Sequence, residues 1–167
     1  MAEQPGTEQA KAMSLARTFL VVVDDSPEMR AALRYACGRA RRTGGRVALL
    51  KVSDPVEFQH FAMIGNIMRE ESRQEAEQLL ERMAAEVNAL SGQVPVLYVR
   101  EGETRDELLR LIEEEPSISI LVLAAGTGPE GPGPLVSALT GNYVNRLRIP
   151  ITIVPGSLTD EMIAALT

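Results

Sequence analysis

Two acidic residues stand directly after an apolar segment near the start of the chain. In the stretch "FLVVVDDSPEMRAAL", Asp24 and Asp25 follow a continuous apolar run and precede a helical pattern. Carboxylates at such a corner can hold Mg²⁺, accept hydrogen bonds from a ribose, or accept amide hydrogen bonds within a turn. The choice between these chemistries depends on what the rest of the chain supplies.

The first of these, an acidic pair that holds Mg²⁺, resembles the start of a response-regulator receiver domain, in which a further aspartate accepts a phosphoryl group. It requires a further Asp after the third strand and a Lys after the fifth. The third apolar segment ends in "YVREGE", which offers Glu101, and Lys51 is the last lysine of the chain. The sequence therefore disfavours a phosphoacceptor.

A glycine-rich loop, "GTGPEGPGP" at 126–134, is the second candidate for chemistry. Its first six residues match the dinucleotide fingerprint G-x-G-x-x-G. That fingerprint should open a βαβ unit, be followed by a helix, and have an acidic residue about 20 positions on. Here Pro132 and Pro134 stand where the helix should have begun, and no acid follows at that spacing. A P-loop also fails, because it needs a lysine.

Composition limits the partners. The chain has 167 residues, 45% hydrophobic and 24% charged, which predicts one globular domain. A net charge of −6 argues against nucleic acid or an anionic membrane as a partner. A single cysteine, Cys37, and a single histidine, His60, disfavour a zinc site. We expect Cys37 to be a buried core residue, and a reducing cytoplasm fits.

Strand and helix patterns alternate along the chain. Apolar, β-branched segments predict five strands, at 18–23, 46–52, 94–102, 118–126 and 149–156. This alternation predicts an α/β fold with a single doubly wound, five-stranded parallel sheet and helices on both faces. In such sheets, ligands bind beyond the carboxyl ends of the strands.

Local signals predict where the helices begin and end. Ser26-Pro27 should start the first helix, and Gly44-Gly45 should end it. Residues 53–65 look irregular, and an amphipathic helix is predicted over 66–90. Thr104 and Glu107 form a capping-box pair for the next helix.

The two ends of the chain are predicted to lie outside the folded domain. We expect residues 1–17 to be a mobile N-terminal tail and 18–156 to form the α/β domain. Residues 157–167 are a C-terminal tail with a short helix capped by Thr159.

The order of these motifs resembles that of the universal stress protein family. "LVVVDDSPE" is similar to the first strand and turn of that family, and "RVALLKVSDP" to its second strand. "REGETRDELLRLIEEE", "ILVLAAGTGPEG" and "IPITIVPG" are similar to its third crossover, its glycine loop and its closing strand. The resemblance implies the strand order 3-2-1-4-5 and a homodimer paired through the fifth strand.

One branch of that family binds ATP through a G-x2-G-x9-G-[S/T] pattern. Carried over, Asp24 would contact the ribose or adenine side and Val52 would line the adenine pocket, while the glycines let backbone amides approach the phosphates. The residues that the resemblance implies for nucleotide binding are Val23, Asp24, Val52, Gly126, Thr127, Gly128, Gly131, Ser137, Gly141 and Asn142.

The sequence departs from this pattern in two ways. Asn142 stands where Ser or Thr is expected, and counting back from Pro150 places the last motif glycine near Ser137-Ala138 instead of Gly141. The loop prolines also remove N–H donors, and Glu130 adds negative charge. Two alternatives for the cofactor stay open: ATP or another adenine nucleotide with Mg²⁺, or no nucleotide.

The function expected from the resemblance is that of a cytoplasmic stress-response or regulatory protein. The residues present predict no turnover enzyme, with slow ATP hydrolysis at most, because no acid–base pair or nucleophile has suitable spacing. The alternative is a nucleotide-independent dimeric adaptor of the same fold.

Overall fold

The computed structural model describes residues 17–54 and 62–167. The tail predicted at residues 1–17 therefore lies, apart from Arg17, outside the described residues, as does His60. The five strands are β1 (Thr18–Val22), β2 (Arg46–Ser53), β3 (Val96–Glu101), β4 (Ile118–Ala125) and β5 (Ile151–Pro155). The five α-helices are α1 (Met29–Thr43), α2 (Ala62–Ser91), α3 (Thr104–Glu114), α4 (Pro134–Thr140) and α5 (Asp160–Leu166), and a 3₁₀ helix covers Val144–Arg146.

The strands form one sheet in the order β3-β2-β1-β4-β5, and all four pairings are parallel. The predicted α/β fold and the strand order implied by the resemblance are therefore confirmed. The strand order reverses between β1 and β4, since β2 and β3 extend the sheet on one side of β1 and β4 and β5 extend it on the other. This switch point is where ligands bind in such sheets.

Helices cover both faces of the sheet. On one face, α1, α2 and α5 pack against strand residues such as Phe19, Val21 and Leu49. On the other, α3 and α4 pack against Leu20, Leu50 and their neighbours. Side chains that alternate along a strand point to opposite faces, so a strand covered on both faces must be apolar throughout. β1 satisfies this condition, because all five of its residues are buried.

Several predicted boundaries were wrong. The long helix begins at Ala62, so the segment predicted as irregular, 53–65, contains the end of β2 and the start of α2. The first helix begins at Met29 rather than at Ser26-Pro27. Its start is delayed because the Ser26 N–H donates to Asp24 Oδ1 at 2.8 Å, which forms a separate turn before the helix.

The predicted capping box of α3 was also wrong. The capping residue is Glu103, whose Oε2 accepts from the Asp106 N–H at 2.9 Å. Glu107 is buried and pairs with Arg110 instead of returning to the helix start. Two predictions at other helix ends are confirmed: Gly44 is the left-handed residue that ends α1, and Thr159 caps α5 through the Met162 N–H at 3.3 Å.

Arg148 joins the end of α3 to the start of β4. Its guanidinium donates to the backbone carbonyls of Ile112 at 2.8 Å, Glu115 at 2.7 Å and Ile118 at 3.3 Å. The last carbonyls of a helix have no partner within the helix, so a cation at this end satisfies them and also interacts favourably with the helix dipole. Arg148 thereby ties the segment before β5 to the α3–β4 connection.

Replacing Arg148 by alanine should lower the free energy of unfolding by about 1–2 kcal/mol, because charge-assisted hydrogen bonds to several carbonyls are lost at once. Urea denaturation measures the change. Arg82→Ala, which removes an exposed arginine from α2, is the control and should cost less. Equal losses for the two variants would contradict the role assigned to Arg148.

Cys37 is a residue of α1 that lies in the core, with 1% of its surface exposed. Burial, with a smaller contribution from the charge of Glu86, raises the pKa of the thiol to about 12. The predicted core role is confirmed by this burial. Because the thiolate is the reactive species, the folded protein should present an unreactive thiol.

We expect Cys37 to react with an aromatic disulfide reagent at pH 8 at least about 100-fold faster in denaturant than in the native protein. Since the raised pKa keeps most of the thiol protonated between pH 7 and pH 9, the native protein should react more slowly than the denatured protein throughout this range. Rapid native labelling at pH 8 would contradict the burial of this group.

No helix within the described ranges is both long enough and apolar enough to cross a membrane.

Candidate functional site

A cleft of about 480 Å³ opens beyond the carboxyl ends of β1 and β4. This volume lies in the range typical of small-molecule sites. Its apolar part is formed by Val22, Val23, Val52 and Leu123. It also receives residues from the β1–α1 turn, the β3–α3 turn and the loop that precedes α4. Three separate connections of the chain therefore meet at the switch point of the sheet.

Asp24 is the first polar side chain after β1, and it lies beside Val23 and Val52 in the cleft. The Val23 N–H donates to Leu50 O at 2.8 Å, which extends the pairing of β1 and β2 by one residue. Asp24 itself is exposed, and one of its oxygens accepts from the Ser26 N–H. The carboxylate is thus oriented by the turn, and it has further acceptor capacity for a ligand hydroxyl or amino group.

The β3–α3 turn brings Glu103, Thr104 and Arg105 to the same cleft. Sequence reasoning did not identify these residues as part of the site. Arg105 forms a salt bridge with Asp106 at 3.2 Å and with Glu103 at 3.6 Å. Its guanidinium also stacks 4.2 Å from the centroid of the Tyr143 ring. The position of "EGETR" after a strand was the one signal that could have indicated this contribution.

The glycine-rich loop folds back on itself beside the cleft. The Gly126 N–H donates to Pro132 O at 3.2 Å, and the Gly131 N–H donates to Gly128 O at 3.1 Å. Gly133, with φ +104°, directly precedes α4 in a conformation that other residues rarely adopt. The cleft is lined by the end of this loop and the start of α4, at Pro132–Val136, whereas Gly126, Thr127, Gly128 and Gly131 do not line it.

The last predicted motif positions lie away from the start of α4. Ser137 is exposed on the helix, and its N–H donates to Gly133 O. Gly141 is the residue that ends the helix, and Asn142 is exposed just after it. Ala138, next to Ser137, does line the cleft. The structure therefore brings Val23, Asp24 and Val52 together and leaves Ser137, Gly141 and Asn142 outside the cleft.

Glu28 is another residue that sequence reasoning did not assign to the site. It lines the cleft from the residue just before α1, and its side chain makes no capping hydrogen bond to that helix. The side chain lies against Gly126 and Gly156 instead. A Cβ added at Gly156 would lie 2.4 Å from Glu28 Cβ, and one added at Gly126 would lie 3.2 Å from Glu28 Oε1. Both glycines therefore provide the space that Glu28 occupies.

Acidic groups outnumber basic groups around the cleft. The carboxylates are those of Asp24, Asp25, Glu28, Asp54 and Glu103, and the cations are Lys51 and Arg105. Arg105 is already paired with acidic neighbours, so its charge is partly balanced before a ligand binds. Among residues 17–54 and 62–167, no three His, Cys, Asp or Glu side chains converge in a way that could hold a metal ion.

A larger cleft, of about 590 Å³, lies between α2 and the β2–β3 side of the sheet. Its walls are mainly charged, and the charges pair with one another: Arg69 with Glu101 at 3.3 Å and Arg73 with Glu77 at 3.0 Å. We favour the smaller cleft as the functional site, because it combines an apolar floor with a few polar groups at the switch point of the sheet.

The arrangement supplies groups that can bind a small molecule. The apolar residues can cover one face of a flat heterocycle, and Asp24 can accept hydrogen bonds from a sugar or an exocyclic amine. Glu103 and Asp24 both accept hydrogen bonds from backbone amides of their own turns. Within the described residues, we find no nucleophile hydrogen-bonded to a base, which is the geometry that covalent catalysis needs.

The comparisons with known proteins agree on one fold. The sequence matches the profile of the universal stress protein family over residues 16–155. No protein among the curated sequences matches the chain.

Among solved structures, a universal stress protein from Lactobacillus plantarum superposes with a TM-score of 0.69 at 19% identity, over 83% of this chain and 97% of the other. A universal stress protein in complex with cAMP has a TM-score of 0.60 at 18% identity, over 86% and 100% of the two chains. A family protein from Arabidopsis thaliana with AMP bound has a TM-score of 0.57 at 15% identity, over 87% and 94%. At these identities the likeness concerns the fold alone.

Proposed function

The chain belongs to the universal stress protein family, and from this premise we propose that it is a cytoplasmic regulatory protein of the stress-response type that binds an adenine nucleotide in the cleft between β1 and β4. The observation that carries the proposal is the convergence of Val23, Asp24 and Val52 on one cleft at the switch point. The related structures described with AMP and with cAMP support the choice of an adenine nucleotide.

The apolar residues and Asp24 divide the proposed site into two parts. Val52 and Leu123 are buried side chains that line the cleft, and they suit the adenine ring. Asp24 is exposed at the strand end and suits the ribose hydroxyls, which donate hydrogen bonds to a carboxylate. A charge-assisted hydrogen bond of this kind contributes more than a neutral one.

The proposed role is regulatory rather than catalytic. Two of the cleft's carboxylates, Asp24 and Glu103, accept hydrogen bonds from backbone amides of their own turns, and we expect slow ATP hydrolysis at most. We assign the contacts with the base and the sugar to Val23, Asp24 and Val52. Mg²⁺ with the nucleotide, and contacts from Gly126, Thr127, Gly128 and Gly131 to phosphate, remain predictions of the family resemblance. The single buried cysteine is compatible with a reducing cytoplasm.

Calorimetric titration with AMP and with ATP, with and without Mg²⁺, tests the proposal. Asp24→Ala should weaken binding of the preferred nucleotide at least about tenfold, because a hydrogen bond to a charged group is lost. Asp24→Asn should weaken it less, since the amide oxygen still accepts from the Ser26 N–H and from a hydroxyl.

Asp25→Ala is the matched control, because it removes the same charge from the adjacent position and should change the affinity less than about threefold. No heat with any of these nucleotides would contradict nucleotide binding and favour the second candidate function. Equal losses for Asp24→Ala and Asp25→Ala would contradict the ribose contact.

The second candidate is a nucleotide-independent dimeric interaction module. The observation that favours it is β5, an edge strand whose Ile153 is 40% exposed. An edge strand has unpaired backbone groups and can pair with the same strand of a second copy about a twofold axis. We propose this homodimer for both candidate functions.

Ile153→Lys should convert the dimer to a monomer, because it introduces a charge into the paired edge. Sedimentation equilibrium should give twice the chain mass of 18.1 kDa for the unmodified protein and the single mass for the variant. Leu97→Lys is a close control, since Leu97 is 39% exposed on β3, the opposite edge. A monomeric unmodified protein, or dissociation caused by Leu97→Lys alone, would contradict pairing through β5.

A further inference from the structure

We propose that Glu28 and the loop 126–133 restrict the cleft to adenine nucleotides with a single phosphate, and that Glu28 is the residue that discriminates against the triphosphate. This inference rests on the proposed nucleotide binding and deepens it. Three observations lead to it: the position of Glu28, the backbone of the loop and the charge around the cleft.

The Glu28 carboxylate lies between the cleft and the start of the loop. Its Oε1 lies 3.2 Å from where a Cβ of Gly126 would be, and its Cβ packs against Gly156, just after β5. Gly156 is also joined to the end of β4, because its N–H donates to Ala125 O at 2.8 Å. A chain of phosphates that extends from the cleft toward the loop would therefore approach a carboxylate.

Glu28 forms no ion pair within residues 17–54 and 62–167. It lies at the residue preceding α1, yet it does not cap that helix. Its charge is therefore balanced neither by an ion pair nor by a helix-capping hydrogen bond among these residues. A partly exposed carboxylate of this kind repels a second anion more strongly than it would in bulk water, because the protein around it has a lower effective dielectric constant.

The loop offers few backbone donors for additional phosphates. Pro129, Pro132 and Pro134 have no N–H. The N–H groups of Gly126 and Gly131 are already bonded within the loop. Five of the nine positions from 126 to 134 thus supply no N–H to a ligand. A phosphate cradle depends on successive free amides, and this loop has at most two of them in succession, at Thr127 and Gly128.

The excess of negative charge around the cleft also disfavours a triphosphate. Five carboxylates and two cations line the cleft, and Arg105 is held by Glu103 and Asp106. One phosphate can be balanced by Lys51 or by Arg105, whereas a triphosphate brings further negative charge that meets Glu28. The cleft thus fits a base and a ribose with one phosphate, either free or cyclised onto the sugar.

The test is the ratio of the affinities for AMP and ATP, measured by calorimetry at low and high salt, with and without Mg²⁺. The unmodified protein should bind AMP at least about tenfold more tightly than ATP. Glu28→Gln keeps the shape of the side chain and removes its charge. It should tighten ATP binding about fivefold or more while changing AMP affinity less than about twofold. High salt should narrow the ratio in the unmodified protein.

Glu113→Gln is the matched control. It makes the same chemical change at an exposed residue near the C-terminal end of α3. This position is about 13 Å along the helix from Thr104, which lines the cleft. It should leave the ratio unchanged, and thermal melting should show that both variants are folded. A ratio that Glu113→Gln alters as much as Glu28→Gln would overturn the local role of Glu28.

The failures of the two proposals can be told apart. If the unmodified protein binds neither AMP nor ATP, the proposed function fails and this inference fails with it. If it binds ATP as tightly as AMP, or if Glu28→Gln leaves the ratio unchanged, nucleotide binding stands and the discrimination by Glu28 is wrong.

Discussion

Burial of the sheet on both faces is the constraint on which the rest of the structure depends. Residues of β1 such as Leu20 and Val21 have no exposed surface, and α-helices cover them on either side. Parallel strands of this kind tolerate no unpaired polar side chain along their length. Charged side chains are therefore excluded from the central strand β1 and first appear beyond its carboxyl end. Asp24, two residues beyond the end of β1, is a direct consequence of this exclusion.

The same exclusion brings unrelated parts of the chain into one cleft. Each connection leaves the sheet at a strand end, so the turns after β1 and β3 and the loop after β4 share one edge. The resulting site combines an apolar floor with charges from Lys51, Arg105 and several acids. Its selectivity depends on how these charges compensate one another, because ions in a partly buried site interact more strongly than ions in water. The glycines beside Glu28 belong to this balance, since a side chain at Gly156 would displace it.

The features that follow from local patterning were predictable, and those that depend on competing local bonds were less so. Continuous apolar runs and turn residues predicted all five strands to within two residues at either end, and Gly44 marked the end of α1. Ser26-Pro27 carried a standard helix-start signal that the chain does not use, because Asp24 takes the Ser26 amide for its own turn. Similarly, Glu103 rather than Thr104 caps α3, because its carboxylate accepts the Asp106 N–H. In both cases two side chains could accept nearby amide protons, and sequence patterns do not rank such neighbours.

By itself, the sequence determined the alternating strands and helices and the exposure of Asp24 at a strand end, because hydrophobic periodicity reflects burial residue by residue. The resemblance to a known family added the strand order and a set of candidate residues. Only the tertiary structure decided which of them meet. Val23, Asp24 and Val52 share the cleft, whereas α4 carries Gly141 and Asn142 away from it. Arg105 enters the site from a distant turn, and Glu28 lies against Gly126 and Gly156, which are far from it in the chain. Such contacts between separate turns depend on how the helices pack on the sheet and not on sequence spacing.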